Sequence, residues 1–205
     1  MGTLGRGTGR RLEPQERKTQ IINVAARLIA ERGYWGISLQ DVASGCGITD
    51  TGVLHHFGSK ERVLLAVIER RDEDDRTALA ARLGVERSDL YASIRTTGLV
   101  DLCEAMMRRN AEQPEIVRLY SVLSAESLDP HHPAHDYFVE RERIALETFA
   151  AARCDMAGDP ASRARMVLAA MDGVQLRWLR DLEHLDLVDE WGHLAHVLLG
   201  GAPTR

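Results

Sequence analysis

Apolar side chains recur at helical spacing along nearly the whole chain from Gln15 onwards, and this periodicity constrains the fold more than any other feature. The clearest example lies near the N-terminus, at spacings of i, i+1, i+4, i+7 and i+8: Ile21, Ile22, Ala25, Leu28 and Ile29. No segment alternates in the manner of a strand, and no internal repeat is visible. The sequence therefore predicts an all-α protein, and 205 residues suffice for one large domain or two small ones.

Glycines and capping residues divide the first third of the chain into four helices. Gly33 ends the first helix, and hydroxyl side chains that favour helix N-termini begin the next three: Ser38, Thr49 and Ser59. The second and third helices are only about seven residues long, and residues 45–47 (Gly-Cys-Gly) separate them. A charged stretch extends the fourth helix as a connector.

The remaining chain is also predicted to be helical. The expected helices span residues 90–113, 115–128, 137–149, 161–182 and 188–199. The stretch 161–182 is apolar on nearly every side, so it must be covered on more than one face, by a core or by a partner chain.

Charge is distributed unevenly between the two ends of the chain. Residues 1–71 hold 11 Lys and Arg against 7 Asp and Glu, whereas residues 72–205 hold 15 against 24. A basic N-terminal third suggests contact with an anionic polymer. We expect three parts: a flexible basic arm over residues 1–15, a DNA-binding domain over 16–71, and a ligand-binding and dimerisation domain over 72–205.

No targeting or membrane segment is predicted. The N-terminus lacks the apolar core of a signal peptide, and the longest uncharged run, residues 191–204, is shorter than the roughly 20 residues of a membrane span. We therefore expect a cytoplasmic protein without membrane association. Cys46, Cys103 and Cys154 form no C-x-x-C pair, so they are interpreted as packing residues.

The two short helices have the anatomy of a helix-turn-helix, in which the second helix enters the major groove of DNA. Their apolar residues can pack inward, and the residues left facing outward are Ser38, Thr49, Asp50, Thr51, Leu54, His55, His56 and Lys60. A helix pair without any ligand would show the same apolar pattern, so periodicity alone does not decide between the two.

The motif itself is more specific than its periodicity. Residues 36–61, GISLQDVASGCGITDTGVLHHFGSKE, closely resemble the DNA-binding signature of the TetR family of one-component transcriptional regulators. The resemblance covers residues 17–68, and Gly47, Phe57, Ser59 and Lys60 stand where the family pattern expects them. Residues 130–137 and 171–176 are also similar to segments found in the family.

The resemblance implies a role for each outward residue. Ser38 and Thr49 resemble hydroxyls that bind phosphates at helix N-termini, and Lys60 resembles the lysine that pairs with the DNA backbone. Base-reading positions are occupied by Asp50, Thr51 and Gly52, and positions near backbone or bases by His55 and His56. Leu54 departs from the family, which usually has a tyrosine there, and offers only apolar contact.

Asp50 has two interpretations. It either stabilises the helix N-terminus through the dipole or accepts a hydrogen bond from a cytosine amino group. Arg10, Arg11 and Arg17 are expected to add weaker contacts to the DNA backbone.

The resemblance further implies a dimer that binds a palindromic operator, acts most often as a repressor, and is released by a small molecule. Candidate ligand contacts are the larger side chains of the middle helices: Met106, Tyr120, Phe138, Phe149, Met166 and Trp178. The predicted dimer seam uses the last two helices: Val174, Trp178, Trp191, Leu194 and Leu198.

Three alternatives were compared with this interpretation. His131, His132 and His135 could be considered as metal ligands, but Pro133 interrupts the local helix between them, and we expect no metal and no cofactor. The sequence contains no P-loop, G-x-G-x-x-G, G-x-S-x-G or H-E-x-x-H motif, so we expect no enzyme. A helical adaptor that binds protein instead of DNA is the remaining alternative.

Overall fold

The computed structural model describes residues 12–200. Within that range the chain folds into α-helices and one 3₁₀ helix, Arg87–Asp89, with a single isolated bridge between Gly98 and Arg153. The α-helices are α1 (Pro14–Arg32), α2 (Leu39–Cys46), α3 (Asp50–Phe57), α4 (Lys60–Arg82), α5 (Leu90–Ile94), α6 (Leu99–Ala111), α7 (Pro114–Glu126), α8 (His135–Ala151), α9 (Pro160–Trp178) and α10 (Leu187–Leu199). The all-α prediction is confirmed, and none of the described helices is long and apolar enough to cross a bilayer.

The first four helices begin and end close to where the capping residues predict. Gly33 caps the end of α1, and the side chains of Ser38, Thr49 and Ser59 each accept a backbone N–H at the start of the helix that follows. Most of the predicted basic arm, including Arg10 and Arg11, lies outside the described residues.

The prediction of one helix over residues 90–113 is wrong. The chain turns between α5 and α6, and Gly98 precedes the first residue of α6. The Leu99 N–H donates to the Arg153 carbonyl at 2.8 Å, and the Arg153 N–H donates to the Thr97 carbonyl at 3.0 Å. These pairings with a distant segment satisfy the backbone groups that a continuous helix would have used internally.

Two clusters of buried apolar residues form the core. The first joins α1–α4 and also contains Leu119 and Leu123 of α7 and Ala134 beyond it, while the second joins α6 with α8–α10. Helix α4 runs without interruption through the predicted boundary at residue 71. The N-terminal helices are therefore packed directly against the helix that begins at Pro114.

The residues of the predicted dimer seam are mostly buried within the single chain, and the seam stays a prediction. Val174, Trp178 and Trp191 are no more than 5% exposed, because α9 and α10 bury them against the chain's own second cluster. Leu194 and Leu198 are half-buried against the same cluster. The apolar side chains of this region therefore pack largely within one chain. Val174, Trp178 and Trp191 have almost no exposed surface that a partner chain could cover.

Candidate nucleic-acid interface

The turn between α2 and α3 fixes the relative placement of the two helices. Gly47 ends α2 in the left-handed conformation at φ 65° and ψ 34°, which a residue with a side chain adopts at a cost. The Ile48 N–H then donates to the Ala43 carbonyl at 3.0 Å. Val42 and Val53 are buried beneath the turn, so the outer faces of both helices remain accessible.

Ser38 and Thr49 cap their helices in different ways. The Ser38 hydroxyl accepts from the Asp41 N–H at 3.1 Å and also donates to the Asp41 carboxylate, a bond that lowers the pKa of Asp41. The Thr49 hydroxyl accepts from the Gly52 N–H at 3.2 Å, and its own hydrogen has no acceptor among the described residues. Thr49 can therefore donate to a phosphate without losing its cap, whereas Ser38 must first release Asp41.

The first two turns of α3 present the predicted reading surface. Asp50, Thr51, Leu54 and His55 are exposed, and Gly52 is half-buried. One carboxylate oxygen of Asp50 accepts from the Thr51 N–H at 2.9 Å, so this side chain is already engaged within its own helix. Leu54, 40% exposed, is the large apolar side chain on this surface.

His56 lies on the side of α3 that faces the start of α1. Burial lowers its pKa, and the electrostatic effects of His55, Lys18 and Arg17 act in the same direction. The Arg17 guanidinium donates to the Cys46 carbonyl at 3.3 Å and to Gln20 at 2.6 Å. Arg17 thus helps to cap the C-terminus of α2, a structural role additional to the predicted backbone contact.

Lys60 is held in an aromatic setting that the sequence did not reveal. Its ammonium nitrogen lies 4.1 Å from the centroid of the Tyr34 ring and 5.9 Å from that of the Trp35 ring. Burial lowers the pKa of Lys60, whereas Glu61, Glu126 and Asp41 act in the opposite direction. Trp35 is 58% exposed, so the charge is positioned at the surface by cation–π contacts.

The same aromatic group connects the reading helices to the C-terminal part of the chain. Glu126, in the last turn of α7, accepts the Tyr34 backbone N–H at 2.7 Å. A side chain at Gly33 would clash with that carboxylate, because an added Cβ would lie 2.2 Å from a Glu126 oxygen. The buried His132 ring packs edge-on against the rings of Tyr34 and Trp35, at 5.1 and 5.6 Å. We call Tyr34, Trp35, Glu126 and His132 the interdomain contact.

The structure brings only some of the candidate ligand residues together. The rings of Tyr120 and Phe138 are 6.1 Å apart, whereas Phe149 and Trp178 are buried in the second core cluster, with Met106 packed against it. Met166 is 42% exposed on the surface of α9. Phe149 and Trp178 are thus core residues, and Tyr120 with Phe138 is the pair left near polar groups.

The three clustered histidines take separate partners. His131 contacts Asp129 at 3.1 Å, His135 contacts the Ser127 carbonyl at 2.7 Å, and His132 is buried at the interdomain contact. No group of three metal-ligating side chains occurs within residues 12–200. All three cysteines are free, and burial raises the pKa of Cys103 to about 12.

Comparison with known proteins identifies the family that the helix pair resembles. Residues 21–67 match the family model described as bacterial regulatory proteins, tetR family. The N-terminal helices of this chain are therefore those of the TetR family. Over 170 residues it is 25% identical to the HTH-type transcriptional regulator BetI of Rhizobium meliloti, a match that covers 81% of this chain and 79% of BetI. Several other curated relatives match over only 19–31% of their length.

Solved structures show the same fold over more than nine tenths of this chain. The structure of AibR in complex with isovaleryl coenzyme A and operator DNA is 20% identical, covers 91% of this chain and all of AibR, and has a TM-score of 0.68. The complex of SmeT with triclosan is 19% identical, covers 93% of this chain and 97% of SmeT, and has a TM-score of 0.69. SmeT is the repressor of the Stenotrophomonas maltophilia multidrug efflux pump SmeDEF.

Proposed function

We propose that this protein is a repressor of the TetR family that binds a palindromic operator as a homodimer and leaves it when a small molecule binds the C-terminal domain. The observation that carries the proposal is the exposed helix α3, whose start is capped by Thr49, followed by Lys60 at the start of α4. Together they present a helix N-terminus and a positioned cation, both suited to phosphate, beside exposed side chains that can reach base edges. Such a protein acts where the chromosome lies, in the cytoplasm.

The contacts divide into two kinds. Ser38, Thr49 and Lys60 are assigned to phosphates, which position the protein on the duplex, and His55 and His56 to the backbone or bases near them. Thr51 is the best placed candidate for direct base contact, because Asp50 is bonded within its helix. Gly52 is assigned to close approach of the groove, and Leu54 to apolar contact with a thymine methyl group.

A dimer would present two copies of α3 to successive major grooves about 34–36 Å apart. The surface we propose for dimerisation replaces the seam predicted from the sequence. It is a stripe of exposed apolar or small residues, which we call the α9–α10 stripe: Met166, Ala169, Gly173, Leu176 and Val197. Leu176 is 44% exposed and Val197 78% exposed, so both retain apolar area for a symmetry mate to cover.

Release by a ligand requires only a difference in affinity between the DNA-bound and free states, about 1–3 kcal/mol in typical cases. The structures of AibR and SmeT contain small molecules, which supports a small-molecule effector here. The interdomain contact supplies a physical path, because Glu126 of α7 holds the backbone beside Lys60.

The decisive experiment is selection of bound sequences from a random pool of double-stranded DNA at physiological salt. We expect the selected sequence to be two-fold symmetric. A search of the genome for this sequence then identifies the genes beside it. Lys60→Ala should weaken binding to all sequences equally and lower the slope of log affinity against log salt by about one per subunit. Arg108→Ala, whose guanidinium pairs with Glu104 on α6, is the matched control and should change neither quantity.

The adaptor alternative gives a different result in the same experiment. It predicts no enriched sequence and no salt-dependent binding of DNA, with Lys60→Ala indistinguishable from Arg108→Ala. A change of preferred bases in Lys60→Ala without any change of salt slope would contradict the backbone role assigned to Lys60.

A further inference from the structure

Helix α8 carries two buried hydrogen-bond donors without a well-aligned partner. The Arg141 Nε and the Tyr137 hydroxyl are both buried, and neither forms a hydrogen bond of normal geometry with any of residues 12–200, although Asp72 and the Tyr120 hydroxyl lie close enough to the Tyr137 hydroxyl to affect its pKa. They are four residues apart, on the same side of the helix. Leaving such groups unpaired opposes folding, more strongly for the charged one, so a buried orphan of this kind calls for an explanation.

Three acidic side chains interact electrostatically with Arg141: Asp172 of α9, whose charged form Arg141 favours, and Asp72 and Asp75, which already have other partners. Asp75 accepts from Arg109 and from Gln113, each at 3.2 Å, and Asp72 accepts from the Tyr120 hydroxyl at 2.9 Å and lies 3.9 Å from Arg76. Within residues 12–200 no carboxylate approaches the Arg141 guanidinium to ion-pair distance, and the centroid of the Tyr120 ring lies 4.7 Å from the guanidinium carbon.

The electrostatic setting keeps Arg141 charged. Desolvation opposes the charge, but the negative charges of Asp72 and Asp75 act in the opposite direction, and the pKa of Arg141 is raised. Burial raises the pKa of the Tyr137 hydroxyl, so it remains a donor at neutral pH. The site therefore offers one cation and one neutral hydroxyl, with the aromatic rings of Tyr120 and Phe138 beside them.

We infer that the effector of this protein is an organic carboxylate, whose two oxygens accept hydrogen bonds from Arg141 and Tyr137 while its apolar body packs against Tyr120 and Phe138. The regulatory role given to this ligand rests on the proposed function, whereas the binding site itself depends only on α8 and its neighbours. A carboxylate satisfies both orphaned donors at once, and a guanidinium suits its planar geometry. An amide of the same shape lacks the charge and leaves the cation unpaired.

Binding here would also reach the DNA-binding helices. The Tyr120 hydroxyl holds Asp72 in the middle of α4, whose first residue is Lys60. A second negative charge beside Asp72 would repel its carboxylate and compete for the tyrosine hydroxyls. The carboxylate would thus favour a different position of α4, and release of DNA follows as its consequence.

The test uses the full chain and three matched pairs of acid and amide: hexanoate and hexanamide, benzoate and benzamide, phenylacetate and phenylacetamide. Thermal unfolding is followed with each compound in large excess. At least one acid should raise Tm by about 3–10 °C, the range expected when a ligand exceeds its Kd by tenfold to 100-fold, and its amide should not. The same acid should lower the affinity for the selected DNA.

The variants separate a binding role from a structural one. Arg141→Met should weaken the acid about 10- to 100-fold, and without ligand it should unfold no earlier than the wild type, because an unpaired buried charge has been removed. Arg141→Lys keeps the charge and should retain a weaker response to the acid. Arg143→Met is the matched control, since Arg143 lies on the same helix but pairs at the surface with Glu140 and Glu147.

Other results would overturn the inference. These are a panel in which no acid raises Tm, equal effects of acid and amide, a response that survives in Arg141→Met, or an unliganded Arg141→Met that unfolds at a lower temperature than both wild type and Arg143→Met. Failure of the proposed function is distinguishable, because Tm would then respond to the acid while no DNA sequence is selected.

Discussion

Asp50 lies in the first turn of α3, where backbone N–H groups lack partners within the helix and a carboxylate is favoured by the dipole. Its bond to the Thr51 N–H at 2.9 Å supports the first of its two interpretations, that of a helix-stabilising residue. A carboxylate so close to the proposed phosphate contacts also opposes DNA binding by repulsion. The gain in helix stability is thus set against a loss in affinity.

Asp50→Asn separates the two interpretations of this residue. The amide keeps the capping shape and removes the charge, so we expect tighter binding by the same factor on every DNA sequence. Fluorescence anisotropy with the selected operator and with single-base variants measures this. A shift of preference away from cytosine at one symmetric position would instead identify Asp50 as a base reader.

Gly52 is a residue whose identity the folded chain does not require. An added Cβ would lie 3.5 Å from both Ile48 and Thr49, an ordinary contact distance. We expect Gly52→Ala to stabilise the protein by about 0.5–1 kcal/mol, because alanine is the better helix former. Operator affinity should nevertheless fall about tenfold or more, because the methyl group occupies space that the proposed groove contact needs.

Urea unfolding and operator binding of Gly52→Ala give the two quantities. Ser124→Ala, at an exposed position of α7, should also gain stability while its DNA affinity stays unchanged. Unchanged operator affinity in Gly52→Ala would contradict the close approach assigned to this residue.

At the scale of elements, the contact between α1 and α7 depends on groups that cannot be hydrated in the folded state. The His132 side chain is fully buried, and its Nδ1 accepts the Ala134 N–H at 3.2 Å. Burial lowers the pKa of His132 below its ordinary value of 6.5, although Glu126 and Asp129 act in the opposite direction. The neutral ring is therefore the form that the fold stabilises.

This depressed pKa has a defined consequence for stability. Above pH 6.5 the histidine is neutral in both the folded and the unfolded chain, so its contribution is fully present. As pH falls below that value the unfolded chain takes up the proton first, and stability is lost until the folded pKa is passed. His56, whose pKa is also lowered, adds to the same loss.

His132→Asn tests this contribution. The variant should have a lower Tm than the wild type at pH 7.5, because the ring contacts with Tyr34 and Trp35 are lost, but a smaller further decrease of Tm towards pH 5.5. Calorimetry at several pH values gives both numbers. The exposed neighbour His131 provides the control: His131→Asn should keep the pH dependence of the wild type, and an unaltered dependence in His132→Asn would disprove the assignment.

At the scale of the whole molecule, the dimer is the property that the structure of a single chain constrains least. Trp191 is 1% exposed, so a charge placed there is expected to unfold the chain before it affects a dimer. The α9–α10 stripe is the apolar surface that the folded chain leaves uncovered in this region. Variants on the stripe can therefore change assembly without removing the core.

Leu176→Asp and Val197→Asp should each give a folded monomer that loses operator affinity at least tenfold, because one subunit carries only half of the proposed contacts. Sedimentation velocity at micromolar concentration, with circular dichroism as a check on folding, measures this. Leu128→Asp, at a position 81% exposed beyond α7, should remain dimeric. A monomeric wild type, or dimeric stripe variants, would contradict the proposed surface.

Local sequence determined the helix-turn-helix. The caps Ser38 and Thr49, the left-handed Gly47 and the buried Val42 and Val53 follow from propensity and spacing within about 20 residues, and each was predictable. The reason is that these short helices satisfy their termini and choose their buried faces largely through near neighbours. The family motif rests on the same local residues.

Only the tertiary structure decided the contacts between residues distant along the chain. The Gly98–Arg153 pairing split a predicted helix, the chain's own helices buried Trp178 and Trp191, and α7 brought Glu126 to Tyr34 across 92 positions. Helical periodicity predicts that one face of a helix is buried but not which element buries it, because the hydrophobic effect is non-directional and any apolar surface can cover another. The orphaned Arg141 is known only from the fold for the same reason, because a missing partner can be recognised only when all the neighbours are in place.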